Sequence, residues 1–560
     1  MIEQIYGIDL GTTYSCVSGF DENGKNIVFV NKDNEYTTPS VLVFDERSRQ
    51  VSVGIAAKNE SIISPSRTVM CVKRNMGTNR RFQPETKDEF RAETLSAFIL
   101  KKLIKDVKDE YKIDVRRAVI TCPAYFGVNE REATKRAGEL AGLDVVSIIN
   151  EPSAAAFYYG IEKNGDGGTK NVLVYDLGGG TFDVTVIRIS EQSLEVLATG
   201  GDSRLGGVDW DDAIAQYFVD RLSEECRLDA DVLKADEAFM TELRQKAEHA
   251  KKLLSQSEKS RESVDYRGNR CIVEMSRSEF ESITNSLLEQ TTMLCESVVS
   301  ESGVSKESIA EVLLVGGSSR MPQVARAVGQ WFGRPPKLCN PDEAVARGAA
   351  LYAQQMAIKE IIVEDTGLAL SEDGDDAIFL DMAKDELSDS AKQDILTLTG
   401  TAVENKRLIA ISNVCSKSFG NLCRDRAYFE RTGRARQIVV NIIKKNSRLP
   451  ISVEESFYTI EDGQTSVRFT PMENELTDNE VNPEDCSQMG EFYLKGLPPN
   501  RPKDRPLKVR YSLDAQGLLD IVYTDVETGM TATAQRQTTY VISDEEMKVA
   551  RKQLAAYTIN

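Results

Sequence analysis

The sequence predicts an α/β region followed by a smaller all-β region. Across residues 1–358, apolar runs of strand length alternate with helical segments, which is the pattern of a layered α/β domain. After residue 414, short strands separated by turns replace that pattern. A chain of 560 residues is also too long for one domain. We therefore predict an α/β fold over most of the chain and a separate small β domain behind it.

Individual elements follow from the same patterns. Strands are predicted where a short apolar run ends at a turn, at residues 4–10, 115–121, 171–175 and 311–315. Helices are predicted at residues 93–108, 129–141 and 239–255. In the β region, residues 457–460 and 466–470 predict a hairpin around Asp462 and Gly463, and residues 508–513 and 518–523 predict a second hairpin. A capping box at Ser543 and Glu546 predicts a short C-terminal helix.

Charge and cysteine content exclude several classes of protein. The chain carries 69 basic and 88 acidic residues, a net charge of −19, which disfavours general binding of nucleic acid or anionic membrane. No apolar run is long enough to span a membrane, and the N-terminus lacks a basic signal region, so we expect a cytoplasmic protein. The ten cysteines form no paired motif and His249 is the sole histidine, which argues against structural zinc and against Ser-His-Asp or Cys-His catalysis.

Two glycine-rich turns carry the chemistry. Residues 8–13 and 175–183 each place an aspartate, Asp9 or Asp176, at the end of a strand and follow it with a glycine and threonine turn. Glycines let backbone N–H groups approach a phosphate, and an aspartate can hold Mg²⁺. A third turn, residues 314–322, could hold a nucleoside. Each turn alone fits an ordinary tight turn, but the three in this order predict a duplicated fold with a nucleotide between its halves.

At this level of detail the chain resembles the seventy-kilodalton heat-shock chaperone family (DnaK-type), and most of all its short, lid-poor HscC-like members. The resemblance is close over residues 1–358 and looser over 414–545. It implies an actin-like duplicated ATPase domain (1–358), an acidic insertion and linker (359–413), a β-sandwich substrate-binding-like domain (414–542) and a short C-terminal helix as a truncated lid (543–560). The matching segments are residues 7–17, 123–126, 149–152, 176–183, 316–322 and 340–345.

The resemblance also implies roles for individual residues. Catalytic roles fall on Lys73, Glu151, Asp176, Thr181 and Asp183. The ATP or ADP contacts are Asp9, Gly11, Thr12, Thr13, Tyr14, Gly178, Gly179, Gly180, Glu248, Lys251, Ser255, Gly316, Gly317, Ser318, Arg320 and Asp342. Asp9 and Asp176 would hold Mg²⁺, mostly through water, and K⁺ is a further candidate ion. Pro123 and Arg131 would relay the nucleotide state. In the β domain, Phe457, Ile460, Val467 and Phe469 would bind peptide, although they fit a sandwich core equally well.

The implied function is that of an ATP-dependent chaperone, which couples ATP hydrolysis to the binding and release of client polypeptides. Expected partners are these clients, a specialised J-domain protein and a nucleotide exchange factor, but no nucleic acid or membrane. The alternative is a regulatory nucleotide-binding scaffold of the same family with weak or no client cycling. A sugar kinase is disfavoured because a β domain follows in family order, and a filament-forming protein would have to polymerise on ATP.

Several features depart from the family. The linker at 408–413 loses its acidic ends, and Ser147 and Asn413 replace an arginine and an aspartate that couple J-domain proteins to hydrolysis. Residues 421–424 replace a largely apolar peptide arch and lead into an arginine-rich stretch, 424–436, which we expect to be an exposed loop or else to attract the acidic insertion. That insertion, 360–394, is expected to be solvated or to act as a regulatory arm. The lid is nearly absent, so bound peptide should leave quickly, and the segment between Lys73 and Glu93 is short, which trims one lobe of the ATPase domain.

Overall fold

Two similar halves make up the α/β region, and the first half, which extends to residue 162, begins with a mixed sheet whose central strand is β1. The computed structural model describes residues 3–162, 168–368, 383–401, 403, 408–535 and 541–560. Its first strands follow the order β3-β2-β1-β8-β9. The elements up to residue 162 are β1 (Ile5–Asp9), β2 (Tyr14–Phe20), β3 (Asn26–Val28), β4 (Thr38–Pro39), β5 (Leu42–Asp45), β6 (Gln50–Val53), α1 (Ile55–Glu60), β7 (Thr68–Val69), α2 (Ala92–Tyr111), β8 (Arg117–Cys122), α3 (Val128–Ala141), β9 (Asp144–Asn150) and α4 (Glu151–Glu162).

The second half repeats this topology. Its strands follow the order β16-β15-β10-β11-β12, and in both sheets the central strand pairs antiparallel with its hairpin partner and parallel with the strand on its other side. The elements are β10 (Lys170–Leu177), β11 (Phe182–Ile189), β12 (Ser193–Asp202), α5 (Gly207–Cys226), α6 (Ala230–Ala235), α7 (Glu237–Leu254), β13 (Lys259–Tyr266), β14 (Asn269–Ser276), α8 (Arg277–Ile283), α9 (Asn285–Glu301), β15 (Ile309–Val315), α10 (Pro322–Phe332), β16 (Lys337–Leu338) and α11 (Ala344–Thr366). This duplication is the architecture that the paired glycine turns predict.

The acidic insertion is partly packed where the structure describes it. Helix α11 runs without a break from residue 344 to 366 and buries Ile358 and Ile362. A further helix, α12 (Asp389–Thr399), closes an apolar cluster on it through Ala391 and Ile395. The flanks of the insertion are therefore not solvated on all sides. The apolar residues 378–380 of the insertion lie outside the described residues.

The C-terminal part is a β-sandwich joined to the second half by a strand. Strand β17 (Ala410–Ser412) adds to the edge strand β12 in parallel. The sandwich packs the sheet β23-β19-β18-β22-β24 against the sheet β20-β26-β27-β28. Its elements are β18 (Ser418–Arg424), α13 (Arg426–Thr432), β19 (Gln437–Ile443), β20 (Ile451–Tyr458), β21 (Ser466–Phe469), β22 (Pro471–Asn474), β23 (Glu480–Val481), β24 (Ser487–Gln488), β25 (Phe492–Lys495), β26 (Pro506–Leu513), β27 (Leu519–Asp525) and β28 (Thr531–Gln535).

One of the two predicted hairpins is wrong. Strand β20, which contains Phe457, pairs with β26, and strand β21 pairs with β25. The distant partner wins because it sets apolar side chains opposite each other in the core, with Val467 facing Leu494 and Phe469 facing Phe492. The Asp-Gly turn signal is local and carries no information about that core. The second predicted hairpin, β26 with β27, is confirmed.

The C-terminal helix forms as predicted but packs against the N-terminal half. Helix α14 (Asp544–Ala556) has the Ser543–Glu546 capping box and lies on α2 and α3. After it, β29 (Thr558–Ile559) pairs in parallel with β6. Tyr557 is 5% exposed and packs edge-to-face against Phe44, Phe90 and Phe98, with ring centroids 5.6–6.1 Å away. Residues from the C-terminal end of the chain are thus part of the hydrophobic core of the first half.

We expect the substitution Tyr557→Ala to destabilise the N-terminal half by about 3 kcal/mol, the usual cost of removing a buried aromatic ring. The variant also loses the bond from Arg49 to the tyrosine hydroxyl (2.9 Å). Calorimetric unfolding of the full chain would measure the change. The matched control is Val549→Ala on the same helix, where the side chain is 55% exposed and the cost should stay within about 0.5 kcal/mol. Equal unfolding temperatures for the two variants would contradict the packing described here.

Candidate nucleotide site

A deep cleft between the two halves holds most of the predicted site residues. Its volume is about 1170 Å³, enough for a nucleotide. The predicted residues that line it are Asp9, Gly11, Thr12, Thr13, Tyr14, Lys73, Glu151, Asp176, Gly178, Gly179, Thr181, Glu248, Lys251, Ser255, Gly316, Gly317, Ser318, Arg320 and Asp342. Gly180 and Asp183 lie just behind this lining. The cleft therefore collects residues from all three turns in one place.

The two phosphate-type turns touch each other across the cleft. A Cβ atom on Gly179 would stand 1.9 Å from the hydroxyl oxygen of Thr13, and one on Gly180 would stand 2.2 Å from the methyl carbon of Thr12. No side chain fits at either position, so the second turn requires glycine at both of them. The hydroxyl of Thr12 is buried and has no hydrogen-bond partner among the described residues. Because Thr12 lines the cleft, its hydroxyl is available to form a hydrogen bond with a molecule bound there.

Three buried carboxylates and the half-buried Asp9 surround a single ammonium among the described residues at the base of the cleft. Lys73 is 5% exposed and donates to Glu151. Asp9 accepts a hydrogen bond from the hydroxyl of Thr121 (2.8 Å), while Asp183 accepts one from the backbone N–H of Ala124 (2.8 Å). Asp176, at the end of β10, is 7% exposed. Among the described residues, no three acidic, histidine or cysteine side chains are grouped closely enough to ligate a metal directly.

Burial and mutual repulsion make these carboxylates hard to ionise. Burial, and next to it the neighbouring Glu151, raise the pKa of Asp183 to about 8 and that of Asp176 well above its usual range. Burial also raises the pKa of Glu151 to about 6, even though Lys73 opposes the shift. Burial disfavours the charged form of Lys73, but Glu151 and Asp9 outweigh it and raise the pKa of the ammonium. The site is thus short of positive charge, which is what a cation would supply.

The outer part of the cleft is lined by charged side chains from α7 and the third turn. Glu248 accepts a hydrogen bond from Tyr14 (2.8 Å), and Lys58 donates to both of them. Although burial opposes it, Lys58 and then Lys252 lower the pKa of Glu248 to about 2. Separately, the Ser255 hydroxyl donates to the carbonyl of Lys251 (3.0 Å), and on the third turn Arg320 forms an ion pair with Asp342.

Sequence reasoning missed residues that join the two halves. Arg74, next to Lys73, donates to the carbonyl of Gly180 (2.8 Å) and to Asp209 (2.6 Å), so it ties the lysine turn of the first half to the second glycine turn. Lys58 was missed as the partner of Glu248. Adjacent basic residues at 73 and 74 were a usable signal for Arg74, but Lys58 lies in a short helix that carries no motif.

Arg131 links the cleft to the β-sandwich. Its guanidinium donates to the carbonyl of Ala124 (3.3 Å), whose N–H binds Asp183, and to the carbonyl of Gln516 in the sandwich (3.4 Å). It also donates to Asn150 (2.7 Å), which in turn donates to Asn413 of the linker (3.3 Å). The carbonyl of the second relay candidate, Pro123, accepts from the N–H of residue 126 in the same turn (3.2 Å). A continuous chain of hydrogen bonds thus connects the carboxylate cluster to both the linker and the sandwich.

A second interface cluster was missed by sequence reasoning. Glu130 of α3 faces Glu473 of β22, and each has an Oε2 atom that is buried and lacks a hydrogen-bond partner among the described residues. Lys417 donates to the other oxygen of Glu473 (3.4 Å). Burial, followed by the charge of Glu473, raises the pKa of Glu130 to about 7, against the opposing effect of Lys417 and Arg131. Contact between the halves and the sandwich therefore favours a proton on Glu130.

The four predicted peptide-binding residues occupy different environments. Val467 and Phe469 are 9% and 2% exposed and lie in the sandwich core. Phe457 is half-buried against that core, while Ile460 is 53% exposed. The first two positions thus follow the core interpretation more closely than the peptide-binding one.

The similarity of this chain to known proteins shows the family to which it belongs. The family model described as "Hsp70 protein" matches residues 5–394 and 433–558. The chain is 35% identical to proteins named "Chaperone protein DnaK" from Thermosipho melanesiensis, Thermotoga neapolitana and Thermotoga maritima. The aligned regions cover 97–98% of this chain and 82% of each relative. The cleft and its turns define a nucleotide-binding protein of actin-like architecture, and these matches define it further: the chain belongs to the Hsp70 family.

We expect domain contact to weaken as the pH rises through 7. When the sandwich separates, Glu130 returns to an ordinary pKa near 4.5, so docking takes up a proton between those two values and is favoured at the lower pH. Small-angle X-ray scattering at pH 6 and pH 8 should therefore show a larger radius of gyration at pH 8. In Glu130→Gln the difference should disappear and the compact form should persist.

The matched control for this measurement is Glu475→Gln, an exposed glutamate two residues beyond Glu473, which should keep the pH dependence of the unaltered protein. A pH dependence that survives in Glu130→Gln would show that another group is responsible.

Proposed function

We propose that ATP binds in the cleft between the two halves and is hydrolysed there, and that Arg131 and the linker strand β17 transmit its state to the β-sandwich. As a member of the Hsp70 family, the chain is an ATP-dependent chaperone with ATPase activity. The observation that carries the proposal is the meeting of both glycine turns and Lys73 over one group of buried carboxylates. None of the described helices is long and apolar enough to cross a membrane.

The roles we propose follow from charge and position. Transfer of a phosphoryl group to water needs little covalent chemistry, so the protein has to position groups and stabilise charge. Thr12, Thr13 and the backbone of the second turn would hold the phosphates, with Thr181 beside the γ-phosphate. Lys73 would stabilise charge on that phosphate, and the carboxylate of Asp183 would orient water. Glu248, Lys251 and Ser255, with the third turn, would hold the adenosine.

A Mg²⁺ ion fits this site. The carboxylates of Asp9 and Asp176 stand at the ends of β1 and β10, and burial raises the pKa of both, a cost that a bound cation would offset. We propose that these two hold Mg²⁺, mostly through water, and that K⁺ occupies the same cleft. Such an ion offsets the negative charge of the β- and γ-phosphates when it is bound.

For the rest of the chain we propose the division made from the sequence, with an ATPase domain, a linker, a substrate-binding sandwich and a C-terminal helix. The sandwich would bind extended client segments, with Phe457 and Ile460 as its more accessible contacts. A J-domain protein and an exchange factor are proposed partners, and Ser147 and Asn413 argue for a specialised J-domain protein. A cytoplasmic location is supported by ten cysteines that are all free thiols.

Single-turnover hydrolysis on the full chain tests the coupling. We expect ATP hydrolysis that unfolded peptides accelerate, and we expect Lys73→Ala to lose at least 100-fold of the rate, because no other ammonium among the described residues lies in the carboxylate group. The control Lys234→Ala removes an exposed lysine of α6 and should leave the rate unchanged.

Arg131→Ala should keep basal hydrolysis but lose acceleration by peptides, since it breaks the hydrogen-bond chain from Asp183 to residue 516. Hydrolysis that peptides never accelerate in the unaltered protein would count against coupling and would favour the scaffold function instead.

A further inference from the structure

The arginine-rich stretch forms a defined basic surface. We call residues 424–436 the arginine arch; it consists of α13 and its flanks, between β18 and β19. It holds five arginines against two carboxylates, on a chain whose net charge is −19. Its own ion pairs are within the sandwich: Arg426 contacts Glu430 (2.8 Å) and Asp504 (3.1 Å). The arch therefore concentrates positive charge on one part of the sandwich in a chain that is acidic overall.

Three of the guanidinium groups are available. Arg424, Arg431 and Arg434 are exposed and have no carboxylate within 4 Å among the residues the structure describes. Arg424 lies over the ring of Phe429 (4.8 Å) and Arg431 over that of Tyr428 (5.7 Å). Stacking on an aromatic ring uses the flat face of a guanidinium and leaves its N–H edge free. The arch thus presents pre-oriented donor edges to solvent.

Apolar side chains lie beside these donors. Phe429 is 40% exposed, and Tyr458 and Ile460 are each 53% exposed. Arg426 of the arch forms an ion pair with Asp504. The next residue, Arg505, accepts a hydrogen bond from the backbone N–H of Thr459 (3.0 Å), which lies between Tyr458 and Ile460. The arch is therefore close to these two exposed side chains. Exposed apolar rings and free guanidinium groups therefore share one end of the sandwich.

We propose that this surface selects client segments in which aspartate or glutamate lies beside apolar side chains. The proposal rests on the client binding proposed above and names the class of client. A guanidinium fork matches a carboxylate in two parallel hydrogen bonds, and the neighbouring rings supply apolar contact. The arch also falls largely within residues 395–432, the stretch that the Hsp70 family model leaves unmatched. Its charge is thus a property of this chain, beyond what the family match accounts for.

Arginines beside aromatic rings can also bind single-stranded nucleic acid. The net charge of −19 opposes that occupant, because the rest of the surface repels a polyanion over distances of about 10 Å. A short acidic peptide contacts only the arch and avoids most of that repulsion. Competition with a single-stranded oligonucleotide distinguishes nucleic acid from an acidic peptide as the ligand of the arch.

The test is fluorescence anisotropy with the full chain and three labelled peptides. The peptides share the same leucine positions and carry aspartate, serine or lysine between them. We expect the aspartate peptide to bind about fivefold more tightly than the serine peptide and the lysine peptide to bind more weakly still, with the preference falling as salt is added. In Arg431→Gln/Arg434→Gln, the aspartate and serine peptides should bind within twofold of each other. The matched control Arg261→Gln/Arg270→Gln, on the β13–β14 hairpin, should keep the preference.

The outcomes separate this proposal from the one it rests on. Tight binding of all three peptides without an acidic preference would overturn the arch proposal and leave client binding intact. No binding of any peptide would overturn client binding, and the arch proposal with it. A single-stranded oligonucleotide that displaces the aspartate peptide, and loses affinity in the arch variant but not in the control, would overturn the assignment to acidic clients.

Discussion

The ammonium of Lys73 lies among the buried carboxylates of Glu151, Asp176 and Asp183 and the half-buried Asp9, and the rest of the molecule depends on this arrangement. Asp9 comes from the first half, Asp176 and Asp183 from the second, and Lys73 from a turn of the first. The carboxylates repel one another, and Lys73 offsets that repulsion only while the halves hold fixed positions. Arg74 of the first half helps to fix them by donating to Gly180 and Asp209 of the second. The second glycine turn serves the same end, because a side chain on Gly179 or Gly180 would push that turn away from Thr12 and Thr13 of the first turn. The duplicated fold is therefore what brings the opposing charges to one place.

The sandwich is joined to the nucleotide-binding halves at both of its ends. The linker strand β17 extends the second sheet, and Gln355 holds it through bonds in both directions with the backbone of Ile409 (2.8 and 2.9 Å). At the other end, α14 and β29 belong to the core and sheet of the first half. Movement of the sandwich thus has to be accommodated between two anchors on different halves. A change in the angle between those halves would act on both anchors together.

Patterns that depend on neighbours in sequence predicted most of the fold. The strands that end at Asp9 and Asp176, the capped helix at Ser543 and the hairpin of β26 and β27 all appear where local signals placed them. The pairing of β21 with β25 did not, because it depends on core contacts between residues about 25 apart. The same holds in the site: the family resemblance implied the role of Lys73, whereas the Glu130–Glu473 contact joins two domains and has no signal in the sequence of either.

The position of the C-terminal helix bears on how a client is held. Because α14 packs on α2 and α3 with Tyr557 in an aromatic core, the same helix does not cover the end of the sandwich where Tyr458 and Ile460 are exposed. On the client binding proposed above, retention of a client must then come from the sandwich itself. Long-range attraction between opposite charges raises the rate of association more than it slows release. A basic arch on an uncovered binding surface is therefore suited to rapid capture and rapid exchange of clients.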